Sequence, residues 1–324
     1  MLQDSRRTAP GTQRPTTPLL AAGLVALLAL TWLLSGELAA DTEPLGVALG
    51  RTAVCAAVLC ALAAARPEGR AGARAVLARP GAVAALALLG FAGYAAGTLL
   101  AMPRIGTSLT NVTVALLPCF SVVIGALFFG ERASARMAAG ALLATAAAAG
   151  YAALGADGAP LDAAGLLLAA GATAGFSAYT FLYRRSLAAL PPLAVLPVLL
   201  GAASVLLVPL SLPALLAHPP TPAQWGGIVL LGGAVYAPAY LVQHRLILLR
   251  GPVFVAALQL AVPFTVRIGE WALGGSPAPG PYELALLAVC CGGIALVTVR
   301  PRARAAADPD GPVPGRTRCR PSER

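Results

Sequence analysis

The sequence predicts an all-α integral membrane protein, with ten transmembrane helices arranged as two inverted five-helix repeats. Three observations carry that prediction. The chain of 324 residues is 58% hydrophobic and 11% charged, with a mean hydropathy of +0.79. A soluble domain carries about 25% charged residues, so this chain has too few charges to clothe a water-facing surface. Its charges also gather at the ends of long apolar runs. Finally, residues 107–154 are echoed by 252–299: Gly130-Glu131 returns as Gly269-Glu270, and Ala141-Leu142-Leu143-Ala144 returns as Ala285-Leu286-Leu287-Ala288. A β-barrel is excluded because its strands alternate over about ten residues, whereas these runs are continuous and about twice as long.

Residues 1–17 are polar, with Arg6, Arg7 and Arg14, and read as a disordered cytoplasmic tail. Span one is 18–36, containing Trp32. A signal peptide competes for it, ending near Leu38-Ala39-Ala40, but the apolar core is long for one and more spans follow. Span two is 45–65, with Arg51 inside it, followed by a basic loop holding Arg66, Arg70, Arg74 and Arg79. Span three is 81–102, span four 108–130 and span five 136–154. Span six is 163–183, closed by Arg184 and Arg185, and span seven is 193–216. After a proline-rich turn come span eight at 225–246, span nine at 252–273 and span ten at 282–299. Residues 301–324 read as a second disordered cytoplasmic tail.

The arginines test this count. Lys and Arg total 23, and all are arginine. With the N-terminus in the cytoplasm, the inner segments hold nearly all of them, while Arg104 stands alone outside beside Asp41, Glu43, Asp157 and Asp162. That is the asymmetry of the positive-inside rule, and a wrong span count would scramble it. Both termini are therefore expected in the cytoplasm. Five helices per half means that the second half enters from the opposite side, which makes the halves inverted repeats.

A charge of +10 is also a mark of nucleic-acid binding, but its placement at span ends argues for a membrane instead. The absence of lysine excludes a Walker A loop and Schiff-base chemistry. The six cysteines show no metal-ligand spacing and read as packing residues, so no cofactor is expected.

At residues 18–300 the chain resembles the drug/metabolite transporter superfamily, specifically its ten-helix EamA-type permeases. The resemblance rests on Trp32 with Ser35-Gly36, on Arg51, on Thr107-Ser108 followed by Pro118 and Gly130-Glu131, and on Gly269-Glu270. It implies a first EamA-like repeat at 18–155 and a second at 161–300, and transport of small solutes such as amino acids, nucleoside-like metabolites, sugar phosphates or drugs. The second half departs from the pattern: its proline is Pro263, with Ala257 at the position aligned to Pro118, and Arg267 is an unusual charge in span nine.

An arginine inside a membrane helix costs about 2.5–3.5 kcal/mol on insertion scales, so it faces a partner or a wet cavity. Arg51, Arg267 and Glu270 are therefore the leading candidates, with an arginine binding an anionic group and Glu270 balancing charge or carrying a proton. Pro118 frees a backbone carbonyl near Asn111, and such groups at membrane depth line cavities or mark packing kinks. Trp32, Tyr94 and Tyr240 complete the candidate lining. Tyr236, Tyr240, Gln243 and His244 form a polar stripe, with its last two members toward the cytoplasmic end. Glu131 reads as a turn-stabilising charge beside the Ser134 N-cap.

The expected function is secondary transport of a small metabolite, amino acid or drug-like solute by alternating access, most simply export, across the plasma membrane. The expected partners are that solute, the bilayer, a coupling proton and a second copy as a homodimer; nucleic acid is not one. An enzyme is not expected. A lipid-modifying membrane enzyme would show clustered carboxylates or histidines at the membrane edge, and the only histidines are His218 and His244. A non-transporting membrane scaffold is the other alternative.

Overall fold

In the computed structural model of the protein, the described residues are 16–40, 42–114, 116–131, 134–154, 162–274 and 278–298. Both predicted tails, but for the last residues of the first, lie outside them. The described chain is helical: α1 (Thr16–Ala40), α2 (Pro44–Ala64), α3 (Pro67–Leu77), α4 (Pro80–Ala87), α5 (Gly93–Val114), α6 (Leu117–Phe129), α7 (Ala135–Leu154), α8 (Ala163–Leu187), α9 (Pro192–Ala217), α10 (Pro222–Val229), α11 (Ala237–Arg250), α12 (Pro252–Gln259), α13 (Val262–Ala272) and α14 (Pro281–Thr298). Two π-helical turns, Leu88–Ala92 and Leu230–Tyr236, splice α4 to α5 and α10 to α11. Five of the resulting rods are long and apolar enough to cross a bilayer: 44–64, 80–101, 163–187, 192–217 and 222–250.

Predicted spans four and nine are each broken in the middle. The breaks fall at matched places, because Pro118 is the second residue of α6 and Pro263 the second of α13. A proline fits the first turn of a helix, where its missing N–H is not needed. The alignment of Ala257 with Pro118 is corrected here: Ala257 lies inside α12 and is fully buried, and Pro263 is the structural counterpart.

The predicted turn between spans three and four is corrected: residues 103–107 lie inside α5, which runs as one helix from Gly93 to Val114. Gly90 lies against Tyr179 of α8, Gly97 against Leu168 and Ala172, and Ala101 and Ile105 both pack with Ala169. Beyond that point the order turns round, with Ser121 meeting Ser177 and Gly125 meeting Phe181. The predicted basic loop is corrected too. Residues 67–77 are a short helix that buries Gly69, Gly72 and Val76. Pro67 starts it, and Glu68 and Arg74 suit the two ends of its dipole. A Cβ on Gly69 would stand 2.4 Å from the Ala63 carbonyl, and one on Gly72 would stand 2.6 Å from Ala194, so only glycine lets α3 lie on α2 and α9.

Three seams hold the bundle: α2 on α9, α5 on α8 and α7 on α14. The last is built from small residues, as the alanine-rich runs predict. A Cβ on Gly293 would meet the Ala144 backbone nitrogen at 2.6 Å, and one on Gly140 would meet the Gly293 carbonyl at 2.8 Å. The large core gathers instead around α8, α9 and α11, where Tyr179, Leu196, Leu199, Leu200 and Ile247 are fully buried.

Candidate functional site

The π turns position the site. A π turn inserts one extra residue and rotates the helix beyond it, and such turns recur at functional sites. In the first, Gly90 lets the ring of Tyr179 approach so closely that a Cβ would stand 2.4 Å from it, and Phe91 then turns into the core. In the second, Gly232 lies against the backbone carbonyl of Arg51, where a Cβ would be 2.6 Å away, and Tyr236 ends the turn.

Arg51 reaches Tyr236 from α2. Its Nη1 donates to the Tyr236 hydroxyl at 2.6 Å, and its guanidinium carbon stands 4.7 Å from the ring centre. A continuous aromatic column runs on from there. Tyr236 and Tyr240 are 5.3 Å apart at their ring centres, and Phe91 meets Tyr240 edge-on at 5.4 Å and Tyr179 edge-on at 5.2 Å. Tyr94 joins through Phe176 at 4.9 Å. Edge-to-face and tilted contacts of this kind each add about 0.5–1.5 kcal/mol beyond area burial.

At the far end His244 is buried among Phe91, Tyr179, Tyr183 and Tyr240. Its Nδ1 lies 2.6 Å from the Tyr240 carbonyl oxygen, and its Nε2 is hydrogen-bonded to the Tyr179 hydroxyl. The Tyr183 hydroxyl is buried without a hydrogen-bond partner among the described residues.

Among the sequence-derived candidates, the structure brings Arg51, Tyr94 and Tyr240 to this column. Pro118 is buried beside Leu117, which packs in the same core as Phe91 and Tyr179. Trp32 lies in α1, Asn111 in α5, and Arg267 and Glu270 in α13, but their side chains lie outside the described residues. Gly269 would bring a Cβ within 3.3 Å of Leu33, so α13 packs on α1 there. Sequence reading passed over Phe91, Phe176, Tyr179 and Tyr183 and ranked His244 low. The signal for three of them was present, since Phe176, Tyr179 and Tyr183 repeat at helical spacing on span six.

Ion pairs stand at both ends of α8. Asp162 caps its N-terminus, accepting from the backbone N–H groups of Ala164 and Gly165, and pairs with Arg104 at 3.3 Å. Desolvation is the largest single influence and pushes its carboxyl up, but the Arg104 hydrogen bond, the two backbone bonds and the Arg104 charge together outweigh it and hold the group below the usual carboxylate range. Arg184 meets Glu131 at 3.1 Å. Gly130 takes φ +65, which folds the chain so that the Glu131 N–H caps the Gly125 carbonyl, while Ser134 accepts from the Met137 N–H to start α7. The Glu131 backbone thus caps the turn, while its charge pairs across to α8 rather than stabilising the turn itself. A cavity of about 190 Å³ opens beside that pair, lined by Arg184, Arg250, Phe181 and Phe254 among others.

Residues 16–152 match the EamA-like transporter family. A solved crystal structure, described only as that of a protein, superposes with a TM-score of 0.72 at 23% identity, covering 88% of this chain and 98% of the other. That likeness establishes the fold. No curated protein matches the sequence. With its apolar helices and an EamA-like transporter domain over residues 16–152, the chain is a multi-pass membrane protein.

Proposed function

We propose that this chain, with an EamA-like transporter domain over residues 16–152, is a secondary transporter that moves a small solute by alternating access, acting as an exporter in the plasma membrane with both termini in the cytoplasm. Its ten spans form two inverted repeats, 18–155 and 161–300. The helix pairing supports this. Shifting each span by five turns α2–α9 and α7–α14 into themselves, α5–α8 into α11–α1, and α6–α8 into α13–α1, and every one of these is a packed pair. The two π turns lie in spans three and eight, and the two proline breaks in spans four and nine, each five spans apart.

The observation that carries the reading is Arg51. A guanidinium within a membrane helix, hydrogen-bonded to Tyr236 at the head of a polar aromatic column, suits recognition of an anionic or carboxyl-bearing solute. In this proposal Arg51 and Arg267 bind the anion, Glu270 balances the charge, and Trp32, Tyr94, Asn111 and Tyr240 line the path. Pro118 supplies the break at which span four bends.

The test is a comparison of small molecules in medium and cytoplasm of cells with and without the protein. A solute that moves only with the intact protein, and stops moving in Arg51→Ala at equal protein level, supports both the transport and the site. Movement unaffected by Arg51→Ala removes the site, and no movement of any solute removes the transporter reading.

A further inference from the structure

We propose that His244 is a proton-binding site of this protein, held by the Tyr240 carbonyl on one nitrogen and the Tyr179 hydroxyl on the other, and that taking up a proton there loosens the contact between α8 and α11. The coupling of this proton to transport rests on the reading above; the proton site itself does not.

A carbonyl oxygen only accepts, so the short Nδ1 contact to Tyr240 requires the hydrogen on Nδ1. Neutral His244 is therefore fixed in one tautomer. Its Nε2 is left with a lone pair, and the Tyr179 hydroxyl donates to it. A proton arriving at His244 has one place to go, that lone pair. Once it binds, Nε2–H is a donor facing another donor. Tyr179 must then turn its own hydrogen away and accept, and that hydrogen needs a new acceptor. A neighbouring hydroxyl is that of Tyr183, buried with no hydrogen-bond partner among the described residues. Tyr183 can accept that hydrogen, but the imidazolium charge itself then sits desolvated among aromatic rings, so the protonated state favours an arrangement that admits water between α8 and α11.

No carboxylate faces the ring among the described residues. From α8 the facing titratable groups are Tyr179 and Tyr183, with Arg184 one residue on, exposed and paired to Glu131. The first π turn brings only Phe91. α9 and α12 contain no titratable residue. On α11, Tyr240 lies one turn back and Arg245 is exposed, while α2 contributes Arg51 and Cys55 two turns farther along the column. In α1 the titratable residue is Glu37, whose neighbour Leu38 packs near Gly227 at the opposite end of span eight. A charged His244 is thus uncompensated in the packed state, and an anionic solute entering past Arg51 would offset it. In the transporter reading, that couples proton binding to solute binding.

The chain has only two histidines, so ¹⁵N-histidine NMR of His218→Ala protein in lipid nanodiscs reads His244 alone. The expected spectrum at pH 8 has a protonated Nδ1 and a pyridine-type Nε2, and the pyridine-type line is lost on acidification of the folded protein. Tyr179→Phe removes a single oxygen and shifts that titration by about one pH unit, the size of one hydrogen bond. Hydrogen exchange across 176–187 and 236–246, corrected for intrinsic rates, should be several-fold faster at pH 5 than at pH 8, and this difference should be absent in His244→Gln. The opposite tautomer, no titration down to pH 4, or a titration that Tyr179→Phe leaves in place each overturns the site. Titration without the exchange difference overturns the loosening. None of these results depends on finding a solute, so the proposal and the transporter reading fail separately.

Discussion

The α7–α14 seam and the α8–α11 layer solve the same problem in opposite ways. Both lie inside a bilayer, where apolar side chains gain little by leaving lipid: the seam joins the two halves of the chain, and the layer packs two helices of the second half with Phe91 and Arg51 of the first. The seam uses backbone on backbone: Gly140, Ala144 and Gly293 stand so close that an added methyl would collide with main-chain atoms. The layer uses large rings with polar tips, and its contacts are hydrogen bonds such as Tyr179 to His244 and Arg51 to Tyr236. A close-packed backbone contact has one good arrangement. A layer of hydroxyls and an imidazole has several, because each group can donate or accept in more than one pattern. The seam is suited to a fixed joint and the layer to a moving one.

The largest effect that would sharpen this contrast is at the seam. Gly293→Ala places its methyl 2.6 Å from the Ala144 nitrogen, whereas Gly292→Ala meets nothing within 4 Å. The first should destabilise by about 1–3 kcal/mol as overpacking, and the second should be neutral or slightly stabilising through helix propensity. Thermal unfolding in detergent compares the pair, and equal behaviour breaks the account of a fixed joint.

At the layer, function should suffer before stability. Arg51→Ala should lower transport at least tenfold with normal protein level, read by the solute comparison above. Tyr236→Phe keeps the ring but removes the acceptor of the 2.6 Å bond, so a loss of about 2–10-fold is expected, matching about 0.5–1.5 kcal/mol. A Tyr236→Phe variant that unfolds rather than slows would make the layer structural. The smallest effect belongs to the exposed Arg104–Asp162 pair. The Asp162 carboxyl is held below its ordinary value, so its stabilising contribution is present at neutral pH and fades only as pH falls through and below the usual carboxylate range. Asp162→Asn should match the unsubstituted melting temperature closely at pH 7 in high salt, since asparagine also caps a helix. A large drop there would give this end of α8 a weight the comparison denies it.

Much of this was legible in the residues. Spans two, six and seven agree with α2, α8 and α9 to within a few residues because hydropathy adds up over about 20 positions and tolerates local error. Gly130 and Ser134 also act as their types suggest, since a left-handed cap and a hydroxyl cap are local devices. Arg51 stood out because a charge inside an apolar run is costly wherever its partner lies.

The sequence by itself therefore determined the class, the length and order of the apolar runs, and Arg51 as a charge set inside an apolar run. The tertiary structure decided which faces meet. Two π turns, each with a glycine pressed against another helix, reset the phase of spans three and eight. That phase depends on the approach of Tyr179 to Gly90 and of the Arg51 backbone to Gly232, contacts between distant parts of the chain. One inserted residue rotates everything beyond it by about 100°, since a turn takes 3.6 residues. A periodicity read along a single span cannot register such a shift, and so Tyr179 and His244 became neighbours only when the helices packed.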